Sequence, residues 1–177
     1  MEISLCRATV KDAKALSAIA TTTFYDTFTG TCTHEDMQQF LYDYYNEGQV
    51  QKELEDDAYL FYFAKVENRP VGYLLLKEDY KNLPLMQQWK ALELKRIYIL
   101  KDFQGKGVAQ ALMDFAIDYA QQNTYEVLWL GVWEHNSRAQ KFYAKYGFEN
   151  SGHTHDFPIG NTPQTDIWLW KFFNNLK

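Results

Sequence analysis

The chain has 177 residues, a formal net charge of −5 and 46% hydrophobic residues, with thirteen Tyr, twelve Phe and five Trp. That length suits a single domain over 1–177 with one sizeable core, and the aromatic content excludes a disordered polar chain. The acidic balance disfavours nucleic acid as a partner, because phosphate binding needs a basic face.

Residues 3–7 read as a first strand. Thr9 then caps a helix, with Asp12 three residues on, and Ala15, Leu16, Ile19, Ala20 and Phe24 recur at helical spacing to about Phe28. Gly30 to Cys32 breaks that helix. Thr33 caps a second one, with Glu35 and Asp36 in the first turn to suit the dipole and an apolar stripe at Met37, Phe40, Leu41 and Tyr44. Residues 49–56 add a short helical piece. Residues 59–66 and 71–77 are β-rich, and Asn68-Arg69-Pro70 between them reads as the turn of a hairpin. Residues 81–90 form a connection that turns helical after Pro84.

The fourth strand, 92–100, changes phase. Leu92 and Leu94 alternate with Glu93 and Lys95, then Ile97 and Ile99 resume on odd positions. One extra residue near Lys95-Arg96, a β-bulge, restores the alternation; a strand buried on both faces accounts for the pattern equally well. A bulge would splay the strand from its neighbour and leave backbone groups for a ligand.

Directly after it comes Phe103-Gln104-Gly105-Lys106-Gly107-Val108-Ala109, opening a helix over 105–122 whose face is Val108, Ala111, Leu112, Phe115 and Tyr119. Helix N-termini expose unpaired N–H groups at the positive end of the dipole, and glycines let an anion approach the backbone. Neither the P-loop string nor Gly-x-Gly-x-x-Gly is present. A buried strand over 127–133 follows. Asn136 caps a short helix to Tyr146, and Gly147 ends it. Strands at 148–157 and 165–172 close the chain. The order β-α-α-β-β-β-α-β-α-β-β means a mixed α/β fold with a partly antiparallel sheet.

Gln104, Gly107 and Ala109 form Gln-x-x-Gly-x-Ala, which resembles the acetyl-CoA pyrophosphate loop of the GNAT superfamily of N-acetyltransferases. The stretch from Asn136-Ser137-Arg138-Ala139 through Tyr143 and Lys145 to Gly147-Phe148 resembles that superfamily's second landmark. Arg7-Ala8-Thr9 with Asp12, Ala13 and Leu16 resembles its first strand and helix. Thr27-Phe28, the Phe103 to Lys106 loop and Gln164-Thr165-Asp166 are further similar to the PaiA-type spermine and spermidine acetyltransferases within it.

The resemblance implies a mostly antiparallel sheet of about seven strands flanked by four or five helices and splayed between strands 4 and 5. It implies acetyl-CoA as cosubstrate, with pyrophosphate on the N–H groups of Gln104, Gly105, Lys106, Gly107, Val108 and Ala109. The pantetheine would pair with Ile97, Tyr98 and Ile99 as an added strand, one N–H facing the oxyanion, an effect worth roughly 3–4 kcal/mol per donor in other enzymes. Asn136, Ser137, Arg138 and Lys145 complete the cofactor side. Tyr143 is the expected acid toward the leaving thiolate, against its reading as a core tyrosine at helical spacing. Glu93 is the first choice as base toward the amine, against its reading as a strand-surface carboxylate. Tyr25, Asp26, Glu35 and Asp36 are expected to line the amine pocket.

The acceptor expected is a primary amine, foremost a polyamine, attacked directly in a ternary complex. An amino acid, a peptide N-terminus or an aminoglycoside are alternatives, as is a coenzyme A sensor without catalysis. Homodimers are common in the family. His153, His155 and Asp156 place two imidazoles on one strand face, but with no third or fourth ligand evident they read as surface or pocket lining, and no metal is expected. Cys6 and Cys32 make neither a disulfide framework nor an evident nucleophile. No run of about 20 apolar residues occurs and residues 1–7 carry no apolar signal region, so the expected location is the cytoplasm.

Overall fold

The computed structural model describes residues 1–173. Strand β1 (Ser4–Arg7) leads through Thr9, whose amide and hydroxyl both donate to the Asp12 carboxylate, into helix α1 (Ala13–Phe28). Helix α2 (His34–Tyr45) begins where Thr33 accepts from the Asp36 amide at 3.1 Å. Helix α3 (Glu47–Glu55) starts two residues earlier than the expected piece at 49–56, because the Asn46 side chain accepts from the Gln49 amide and fixes the N-terminus there.

Strands β2 (Tyr59–Val66) and β3 (Arg69–Lys77) form the expected hairpin, but its turn is Glu67-Asn68. Both residues have positive φ, 49° and 64°, the geometry that two-residue hairpins favour. Pro70 lies inside β3 opposite Lys65, beside a register shift, where its missing N–H is tolerated. The connection after β3 stays irregular. Met86 is buried within it, and its amide bonds Leu83 in a single turn that never propagates into a helix.

Strand β4 (Ala91–Ile99), helix α4 (Val108–Gln122), strand β5 (Val127–Trp133), helix α5 (Ser137–Lys145), strand β6 (Glu149–Asp156) and strand β7 (Thr165–Phe172) complete the described chain. The seven strands lie in the order β1-β2-β3-β4-β5-β7-β6, and all neighbours are antiparallel except β4 and β5. Five α-helices cover the two faces. Leu74, Leu76, Leu92, Leu94, Leu128, Leu130 and Val132 pack with α4 and α5 on one side; Phe61, Phe63, Tyr73 and Leu75 pack with α1, α2 and α3 on the other. A strand covered on both faces needs no alternation, and Tyr73 to Leu76 is one unbroken buried run. Among the described residues no helix is long and apolar enough to cross a membrane.

Candidate active site

The strand that changes phase in sequence is bulged in space. Leu75 faces Arg96 while Leu76 faces Leu94, so Lys95 is the extra residue. The parallel pairing of β4 with β5 covers three residues and stops at Glu93 opposite Trp129. Beyond that point the two strands part. A cleft of about 1280 Å³ occupies the gap and runs on between β4 and the helices of the α1 side.

At one mouth of the cleft sits the glycine loop. Gly105 and Gly107 have φ of +74° and +87°, left-handed values that put α4's first residue at Val108, three residues later than expected. The first-turn N–H groups of α4 have no partner inside the helix. The Gln104 amide, upstream of the helix and expected to face the pyrophosphate, donates to the Lys101 carbonyl at 3.2 Å, and its side chain accepts from Arg138 Nη1 at 2.9 Å. That bond ties the loop to the start of α5 across the opening. Asn136 caps α5 by accepting from the Ala139 amide at 3.1 Å, and Ser137, Arg138, Lys141 and Lys145 bring further donors and three cations to the same wall.

Deeper in, Tyr143 is 7% exposed and still lines the cleft. Burial, then the nearby Asp166 charge, push its phenol well above the ordinary range, so it stays protonated at working pH. Tyr98 on β4 is likewise raised, by burial and by Tyr45 and Tyr143. Glu93 stands where β4 and β5 part, its Oε1 3.6 Å from Lys95 Nζ. On the far side the wall is built from Asp26 and Phe28 of α1, Phe40, Tyr44 and Tyr45 of α2, and Glu53 of α3. Asp26 lies 3.6 Å from Lys101. Glu53 holds Arg96 in two contacts, 2.8 and 3.4 Å, and the guanidinium carbon sits 4.9 Å from the Tyr45 ring centre. Desolvation opposes the Arg96 charge, and the tyrosines and Glu53 around it outweigh that opposition.

Of the residues designated from sequence, the cleft brings together Glu93, Ile97, Tyr98, Ile99, Gln104, Gly105, Ala109, Asn136, Ser137, Arg138, Tyr143, Lys145 and Asp26. Lys106 and Gly107 of the loop and Val108 at the start of α4 do not line the cavity; Val108 is buried against Gly72. Three acceptor-side residues lie elsewhere. Tyr25 is 40% exposed and borders a small separate depression, and Glu35 is exposed on α2. Asp36 is a structural residue: its carboxylate accepts from the Asn161 amide at 2.9 Å and the Thr162 hydroxyl at 2.8 Å, which holds its acidity below the usual carboxylate range. Asp166 and His155, given no role in the expected site, both line the cleft. The Gln164-Thr165-Asp166 similarity pointed toward the first, and the reading of His155 as surface or pocket lining pointed toward the second.

The chain matches the acetyltransferase (GNAT) family over residues 19–148. It is 37% identical over 170 residues to an uncharacterized N-acetyltransferase in the pepI 3′ region of Lactobacillus delbrueckii subsp. lactis, a match covering 96% of each chain. It is 31% identical over 156 residues to an uncharacterized N-acetyltransferase of Mycobacterium tuberculosis, covering 88% of this chain and 94% of that one. Its fold is similar to that of the PaiA N-acetyltransferase of Thermoplasma acidophilum in complex with coenzyme A, with a TM-score of 0.78 at 20% identity, covering 98% of this chain and 100% of that one. The chain therefore belongs to the GNAT family of acetyltransferases. It is an N-acetyltransferase, and acetyl-CoA is its acyl donor.

Proposed function

We propose that this single-domain enzyme moves an acetyl group from acetyl-CoA to a primary amine of a small cationic molecule, with a polyamine as favoured acceptor. One observation carries the reading: β4 leaves β5 after Glu93, beside a left-handed glycine loop, and the gap opens onto a wall rich in carboxylates and aromatic rings. The diphosphate rests on the N–H groups that begin α4, aided by Arg138 and Lys145. The pantetheine amides pair with Ile97, Tyr98 and Ile99 where β4 has no strand partner on that side. An N–H of the same segment holds the oxyanion when nitrogen attacks the thioester carbon. As the C–S bond breaks, Tyr143 gives its proton to sulfur. Glu93 is the carboxylate on the cofactor strand. Cys6 and Cys32 are not among the residues lining the cleft, which supports direct transfer in a ternary complex over an acyl-enzyme.

The acceptor wall supports a cationic amine. Asp26, Glu53, Glu93, Asp156 and Asp166 line the cleft with Lys95, Arg96 and Lys101, apart from the Arg138, Lys141 and Lys145 that α5 brings to the glycine-loop side, and Phe40, Tyr44 and Phe157 offer ring faces for an ammonium chain. The test is incubation with acetyl-CoA and a panel of spermidine, spermine, amino acids, a dipeptide and an aminoglycoside, read by mass spectrometry. Spermidine or spermine should gain one acetyl group. Acetyl-CoA at about 100 times its Kd should stabilise the protein by roughly 2.7 kcal/mol. Acetylation of another amine alone overturns the polyamine assignment; binding with no turnover on any amine makes the protein a coenzyme A sensor.

A further inference from the structure

We propose that Asp166 of β7, seated beside His155 of β6, is the base that takes the proton from the incoming ammonium, in place of Glu93. The inference rests on the acetyl-transfer reading above and concerns the same cleft. Glu93 sits at the closed end of the split, in the last β4–β5 pair, and its carboxylate already contacts Lys95. Asp166 pairs with Trp133, at the end of β5 where the strands have parted, and lines the cleft there. Its side chain is 14% exposed, sheltered yet open to a ligand.

The seat is built by neighbours on three strands. His155 pairs with Asp166 in register on β6, so both side chains rise from the same face. Gly131 of β5 lies beneath them; a Cβ there would come within 2.9 Å of His155 Cε1 and 3.1 Å of Asp166 Oδ2. Trp168 Nε1 donates to His155 Nδ1, which leaves the imidazole proton on Nε2, 3.8 Å from Asp166 Oδ2. Lys95 and Tyr98 face the carboxylate from β4 and Tyr143 from α5, with Asp156 next to His155. Burial raises the Asp166 carboxyl to about 6, against the opposing pull of Lys95. Burial and Lys95 lower His155, so the imidazole is neutral at working pH and brings no charge to offset the carboxylate. A carboxylate so placed is ionised near neutrality and still basic enough to accept a proton.

In the step, an N–H bond of the ammonium breaks and an Asp166 O–H bond forms. The freed lone pair attacks the thioester carbon, the C–N bond forms and the C–S bond breaks. Tyr143 protonates the sulfur and recovers the second nitrogen proton. Asp166 then releases its proton to solvent, so acetyl-CoA and ammonium give amide, coenzyme A and one proton.

The pH dependence of kcat/KM decides the assignment, measured with acetyl-CoA and spermidine, or with the panel amine that turns over if spermidine does not. In the wild type kcat/KM should fall below about pH 6. Asp166→Asn should lose that limb and about 100-fold in kcat, while coenzyme A affinity by calorimetry stays within about twofold; Glu93→Gln should keep the limb. Survival of the limb in Asp166→Asn, or its loss in Glu93→Gln, overturns the inference while acetyl transfer stands. A coenzyme A affinity reduced in step with kcat in Asp166→Asn also overturns it, since the residue would then be structural. A wild type that acetylates none of the amines removes the reading on which the inference rests.

Discussion

Tyr143 is at once a core side chain and a cleft-lining one, and the proposed proton transfer to sulfur would give it a second role. Its ring packs 5.8 Å from Phe148 and 5.6 Å from Phe142, and it is also part of the cleft wall. Removing only the hydroxyl separates the two roles. Tyr143→Phe should lower kcat by about 100-fold and leave coenzyme A affinity, measured by calorimetry, within about twofold; equal loss of both would assign the residue to packing. That Glu93, Asn136 and Tyr143 line the cleft was legible in the sequence, Glu93 from its place on the bulged strand and the other two from their spacing to Gly147. The place of Asp36 was not. An acidic residue in a helix's first turn looks like pocket lining, and its actual partners, Asn161 and Thr162, are 125 and 126 residues away in the chain. Asp166 stayed hidden for a related reason: its surroundings come from β4, β5, β6 and α5, which only the fold assembles.

At the scale of elements, the phase change in β4 was readable because a two-residue period has little tolerance: one extra residue at Lys95 moves every later side chain to the other face. The start of α4 was readable in kind and misplaced by three residues. Glycines count toward a helix in a pattern, whereas Gly105 and Gly107 at positive φ cannot belong to one. Those angles carry a consequence for binding. Gly107→Ala should cost about 1–2 kcal/mol of stability for an L-residue held left-handed, read by urea unfolding. Because the strained turn also aims the first N–H groups of α4, acetyl-CoA affinity should fall by about tenfold or more, a change of at least about 1.4 kcal/mol. Unchanged affinity would place the diphosphate elsewhere. The hairpin turn was displaced for a different reason: Pro70 signals a break, but it is admitted into β3 beside the register shift, and Asn68 carries the turn.

Across the whole molecule, the sheet order follows from the alternation of strands and helices, but the tie between its helical layer and its split does not. Glu53 of α3 reaches Arg96 of β4, 43 residues on, directly beyond the bulge, and both side chains are largely withdrawn from solvent. Breaking one half of such a pair strands the other charge. Glu53→Gln should therefore destabilise the fold by about 3 kcal/mol, measured by the urea midpoint; a loss below about 1 kcal/mol would mean that solvent reaches Arg96 freely. The parting of β4 from β5 has its own mechanical meaning. The four strands on one side and the three on the other are joined through a neck only three residue pairs long, and Met86, Ala91, Val127 and Trp129 form an apolar clasp around it. None of those four side chains lines the cleft, so packing outside the cavity holds the two parts of the sheet together at the closed end of the split.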